Sequence, residues 1–183
     1  MLNLLKGFLP WIVYFVLAGH SQEKLVTATI AACLVFIIFD HKSLFKGFIL
    51  SWGTGLFFLF MFIFVVILRN HWVVEHARII SDASLALLAW FSLFIGMPFT
   101  MQYAREKVAK QYWHTIVFIR INQYLTAIWG TIFIICMLLH GFQYYWPITQ
   151  NWLYEVLSDS AIIFGALISS WFPEWYKQRK VKQ

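Results

Sequence analysis

Six apolar stretches, at about 4–19, 25–39, 48–68, 79–98, 116–139 and 152–172, leave this chain few ways to fold. A helix needs roughly 20 apolar residues to cross about 30 Å of hydrocarbon. In that medium only helices and closed barrels satisfy every backbone N–H and C=O group. The runs have helical length, so the expected fold class is all-α, a polytopic helical membrane protein. Six spans are expected, with five as the alternative because the first two runs are short. Composition agrees: only 12% of the residues are charged, against about 25% in soluble domains. The chain reads as a single transmembrane domain over 1–183. Its first run follows one Lys and precedes no small-residue cleavage site, so it reads as a retained helix.

The loops set an orientation. With the N-terminus inside, the cytoplasmic side holds Lys6, Lys42, Lys46, Arg105, Lys107, Lys110, Lys177, Arg179, Lys180 and Lys182. The far side holds Lys24, Arg69 and Arg78. That asymmetry places both termini, including the basic tail 173–183, in the cytoplasm. The net charge of +6 is therefore a topology signal and implies no nucleic-acid partner. Trp72, Tyr144, Tyr145, Trp146 and Trp152 at one interface, and Tyr112, Trp113, Trp171, Trp175 and Tyr176 at the other, read as aromatic belts.

The chain also resembles itself. "SWGTGLFF" at 51–58 matches "IWGTIFII" at 128–135, and "IISDAS" at 79–84 matches "VLSDSA" at 156–161, both at an offset of 77 residues. The expectation is a parallel repeat of a helical hairpin, 45–98 with 122–175, of the kind related by an axis along the membrane normal. Trp52 then corresponds to Trp129, Ser81 to Ser158 and Asp82 to Asp159.

Carboxylates in hydrocarbon are expensive, about +2.5 to +3.5 kcal/mol at a helix centre. Helix capping is the default reading of both Ser-Asp pairs, because either side chain can accept from the first-turn N–H groups. The functional alternative makes Asp82 and Asp159 a proton or ligand site, with Arg120, Asn122 and Gln123 toward the inner side. Asp159 is the sharper case: if its helix starts at Trp152, it lies two turns inside and needs a partner. Between the fourth and fifth spans, the connector 99–115 repeats Ala104, Val108 and Tyr112 at i, i+4, i+8. Arg105, Lys107 and Lys110 fall on the other side, the pattern of an interfacial helix facing anionic headgroups. Ala161, Gly165 and Ser169, and likewise Ala28 and Ala32, have the spacing of close helix–helix packing. No catalytic constellation, metal site or cofactor motif is visible. Cys33 and Cys136 lie inside apolar runs, which speaks against a disulfide, and His71 and His76 are poorly spaced to share a metal.

The order of these features resembles the intracellular septation protein A family of bacterial inner-membrane proteins. The likeness lies in "LLKGFLPWIVYFV" at 4–16, in "GMPFTMQYAREKV" where Pro98 ends a span, and in "YW…IRINQYLTAIWGTIFI". It extends to a last helix with a short charged tail. The connector "TMQYAREKVAKQYWHT" departs from that family's form. The resemblance implies a non-enzymatic envelope or division-associated protein of the bacterial inner membrane. Such a protein acts on the lipid bilayer, on other inner-membrane proteins or as a homo-oligomer. A small transporter or lipid-handling protein, with a polar cavity between the repeat hairpins, is the alternative.

Overall fold

The computed structural model describes residues 2–19, 21–146 and 152–181, so Lys182 of the sequence reading lies outside the described residues. The protein is all-α, with no strand among the described residues. Nine α-helices are described: α1 (Leu2–Leu17), α2 (Gln22–Val35), α3 (His41–Phe45), α4 (Ile49–Met61), α5 (His71–Glu75), α6 (Ala77–Phe94), α7 (Phe99–Arg105), α8 (Ile116–Tyr145) and α9 (Trp152–Val181). Five helical runs are long and apolar enough to cross a membrane: Gln22–Phe45, Ile49–Ile67, Ala77–Phe94, Ile116–Tyr145 and Trp152–Arg179. The chain is thus a polytopic integral membrane protein. A shorter apolar helix, Lys6–Leu17, lies within α1.

The second run is longer than its 25–39 hydropathy core. A π-turn, Phe36–Asp40, carries the helix past its apolar end into α3, so Asp40 and Lys42 are helical rather than loop residues. A second π-turn, Phe62–Ile67, extends α4 in the same way. Gly47, at φ +75°, reverses the chain between α3 and α4, with Phe48 N–H donating to Ser43 O at 3.1 Å. The fourth span stops before Pro98: α6 ends at Phe94, and Gly96 at φ +73° makes the turn. Pro98 instead precedes α7, and Ser92 Oγ accepts from Phe99 N–H at 3.1 Å.

Two compact units divide the chain inside α6, Leu2–Ser84 and Leu85–Gln183. In the N-terminal unit α1 packs on α2, and α2 on α4 and the second π-turn. Ala28 and Ala32 are fully buried, consistent with a close approach of backbones. An aromatic cluster fills the space beside them. The Trp11 ring stacks on Phe57 at 4.5 Å, and Tyr14 meets Phe58 edge-on at 5.6 Å. Within it, Trp11 Nε1 donates to Thr54 Oγ1 at 2.8 Å.

In the C-terminal unit α8 pairs with α9, and α7 packs on α8. Contacts run from Trp129–Ser169 through Ile132–Gly165 to Cys136–Ser158, ascending in one helix and descending in the other, so α8 and α9 are antiparallel. The small-residue face of α9 is therefore used inside the chain. A Cβ on Gly165 would stand 2.6 Å from Ile132 Cδ1 and 3.3 Å from the Trp129 ring. Gly141 of α8 has nothing within 4 Å of its missing Cβ. Gly165→Val should lower stability by about 1–3 kcal/mol through overpacking. Gly141→Ala should raise it by roughly 0.5–1 kcal/mol through helix entropy. Thermal unfolding in detergent separates the two; equal effects would remove the packing role of Gly165.

Candidate functional site

The first polar groups to place are the Ser-Asp pairs, and neither caps a helix. Asn70 supplies the cap in this region, its Oδ1 accepting from Val73 N–H at 3.0 Å at the start of α5. α6 follows from Ala77, with Ile80 N–H already bonded to His76 O. Asp82 therefore sits beyond the first turn. Ser81 Oγ donates back to Ala77 O and Ser158 Oγ to Tyr154 O, both at 2.7 Å. Both hydroxyls are spent on their own helix four residues back, a common solution for Ser in apolar helices.

The carboxylates differ. Asp82 is 2% exposed, whereas Asp159, two turns into α9, is exposed. Asp159, expected to need a partner two turns inside its helix, is thus the less buried of the two. α9 turns Ser158 toward α8, where it meets His140 Nε2 at 3.4 Å, and this rotates Asp159 outward. The other matched positions also differ in setting. Trp52 is 53% exposed and Trp129 only 7%, while Thr54 is buried and Thr131 exposed.

Asp82 belongs to a buried group in the N-terminal unit. Tyr14 of α1 lies toward Ser81, in the field of Arg78 and Asp82. The Tyr14 hydroxyl is buried and closes no hydrogen bond. Asp82 and Arg78 are both engaged in further polar interactions.

The polar opening of the fifth span is split by the helix. Arg120 and Gln123 are exposed and only Asn122 is buried. Asn122 Nδ2 donates to Phe118 O at 2.8 Å, and its backbone carbonyl accepts from Thr100 Oγ1 at 2.9 Å. Thr100 also meets Thr126 Oγ1 at 2.8 Å. These contacts clip α7 onto α8, so Asn122 is a packing residue here.

That clip breaks the single helix expected over the connector. Phe99 to Tyr103 are buried, and α7 ends at Arg105. The i, i+4, i+8 pattern of Ala104, Val108 and Tyr112 is cut by a turn and a 3₁₀ segment, Lys110–Tyr112. Trp113 Nε1 folds back onto Val108 O at 2.8 Å, and the Arg105 guanidinium lies 5.4 Å from the Trp113 ring. Lys107 and Lys110 are exposed and Arg105 is half-buried, so the three do not form one basic helix face.

One buried carboxylate escapes sequence inspection. Asp40 is 1% exposed, bonded by Ser51 and Ser43, with Oδ2 unpartnered. The only hint is Ser51 eleven residues on, within reach once the chain reverses at Gly47. Among the described residues no three His, Cys, Asp or Glu side chains converge as a metal site. Compared with known proteins, the chain matches no family model, no curated protein and no solved structure.

Tyr14 and Trp11 carry polar tips into one core, but only the indole is bonded. Tyr14→Phe should stabilise the protein by about 1 kcal/mol, since an unsatisfied buried hydroxyl is lost. Trp11→Phe should destabilise it by at least roughly 1–3 kcal/mol, because it strands Thr54 and shrinks the core. Opposite shifts in thermal midpoint are expected. A matching loss in Tyr14→Phe would mean that its hydroxyl is bonded after all.

Proposed function

We propose that this chain is a non-enzymatic protein of the bacterial inner membrane that works by contact with other membrane proteins. The observation that carries the reading is the outward face of α9. That helix buries only 17% of its most apolar stretch, against 44% for α8. Asp159 shares the open side with Val156, Ile163, Phe164 and Leu167, all exposed. Lipid is a poor neighbour for a carboxylate. A polar or basic group on a second membrane helix is a good one. The resemblance to the septation protein A family supports the same reading, and implies an envelope or division-associated role.

A different observation favours a second reading, proton or small-solute handling. Asp82 is buried in an apolar helical unit beside an unbonded tyrosine hydroxyl, and intramembrane ionisable groups commonly mark such pathways.

The test is a photo-crosslinking residue at position 163 or 164, used in native bacterial membranes. A discrete protein adduct is expected from the inner-membrane fraction, weakened at least several-fold by Asp159→Leu. Adducts to lipid alone, or adducts indifferent to Asp159→Leu, would remove the contact reading. Asp82→Asn should leave the adduct unchanged; its loss would favour the second reading.

A further inference from the structure

Asp40 is the most deeply buried carboxylate among the described residues, and its surroundings leave it incomplete. It ends the π-turn Phe36–Asp40 and begins α3, with its backbone bent to φ −111° and ψ −5°. Its side chain does not cap α3. Ser43, one turn on, and Ser51, on the opposite side of the Gly47 reversal, donate their hydroxyls to the carboxylate. Ser51 is fully buried. Oδ2 is buried as well and receives nothing.

An ionised carboxylate in such a place needs positive charge close by. No lysine is among the groups that act on it. Lys42 is exposed, and the Lys46 ammonium stands 5.8 Å from the Phe48 ring. His41 is near enough to influence the carboxylate, yet its Nδ1 is also buried without a partner, so that nitrogen does not bond Oδ2.

The geometry points to a binding site for a monovalent alkali cation, of the sodium class, on the Asp40 carboxylate at the junction of the π-turn with α3 and α4. Three features of the donor set select that ligand. The first is hardness: a carboxylate oxygen and two hydroxyls favour hard cations over soft ones. Each serine, having donated its proton to Asp40, keeps lone pairs for a cation. The second is charge, because one carboxylate balances one positive charge, and Ca²⁺ sites usually gather more acidic ligands. The third is the backbone: the carboxylate sits at the end of a π-turn, and π-turns inside helices recur at functional sites. The site lies wholly within the N-terminal unit and does not involve α9, so it stands apart from the contact function proposed above.

The test uses the full chain in detergent or nanodiscs, unfolded thermally in sodium chloride or in choline chloride at equal ionic strength. Sodium should raise the midpoint by several degrees in a saturable way, as binding to the folded state requires. Asp40→Asn should abolish that shift, and Ser51→Ala should weaken it. If Asp40→Asn does not fold, the double variant Ser43→Ala/Ser51→Ala, which keeps the carboxylate, should show the loss instead. Equal midpoints for the wild type in sodium and choline would overturn the proposal. So would a sodium shift that survives Asp40→Asn or, where that variant does not fold, the double serine variant. A midpoint that follows pH identically in both salts would assign the place to a proton and overturn it too.

Discussion

A backbone amide inside a bilayer has nothing to bond to except another part of the same assembly. That constraint makes the fold helical, and it also governs the side chains. Thr29, Ser81, Ser84, Thr131 and Ser158 all return their hydroxyl protons to the carbonyl four residues back. Asn122 does the same with its amide. Such residues look chemically available in a sequence, but the hydroxyl donor is already used inside one helix. The π-turns obey the same constraint: when the chain must carry Asp40 past the end of an apolar run, it widens the helix rather than leaving it.

Helices in lipid gain little from hiding apolar surface from one another, so they need close fits and specific bonds. Each unit here uses one device for both purposes. In the N-terminal unit a tryptophan indole donates to Thr54 while its ring stacks on Phe57. In the C-terminal unit Trp129 Nε1 donates to Ser169 at 2.9 Å while its ring lies against Gly165. Tryptophan suits the task because it combines a large apolar face with one donor that must find an acceptor. The small residues opposite are what admit the ring. Gly130 works likewise, since a Cβ there would stand 2.7 Å from Trp90 Nε1.

The fold class was legible because hydropathy and span length are one-dimensional properties. The errors came where tertiary packing decides. "IISDAS" has the composition of a helix start, but Asn70 and the short α5 had already begun the helical region upstream, so Ser81 became an interior residue. Ala104, Val108 and Tyr112 do have helical spacing. Burying Phe99 to Tyr103 against α8 and folding Trp113 back onto Val108 use the segment differently. Asp40 is illegible in the sequence for the opposite reason. Beside His41 and Lys42 it looks like one loop charge among several, and only the return of α4, bringing Ser51, shows it to be buried. Of the positions singled out from sequence, Asp82 keeps its interest, while Asn122 is explained by packing.

The placement of three aspartates orders what the chain can do. Asp40 and Asp82 are buried among polar groups of their own unit, so folding itself sets their environment. Asp159 is not, and its setting depends on what lies outside the chain. On insertion scales a central carboxylate costs about 2.5–3.5 kcal/mol, and less toward an end. α9 is anchored at its other end, where Arg179 lies 4.4 Å from the Trp175 ring and Lys177 bonds Glu174 at 3.1 Å. At 30 residues it is long enough to hold those anchors in the headgroups. At roughly 1.5 Å per residue, Asp159 then stands about 24–30 Å from Trp175 and Arg179, toward the far edge of a hydrocarbon layer of about 30 Å. The carboxylate there carries only the smaller cost of an end position, and sliding the helix to lower it further would drag Trp175 and Arg179 inward. Covering Asp159 from outside would offset what remains, and that is the gain the proposed contact on the open side of α9 would bring.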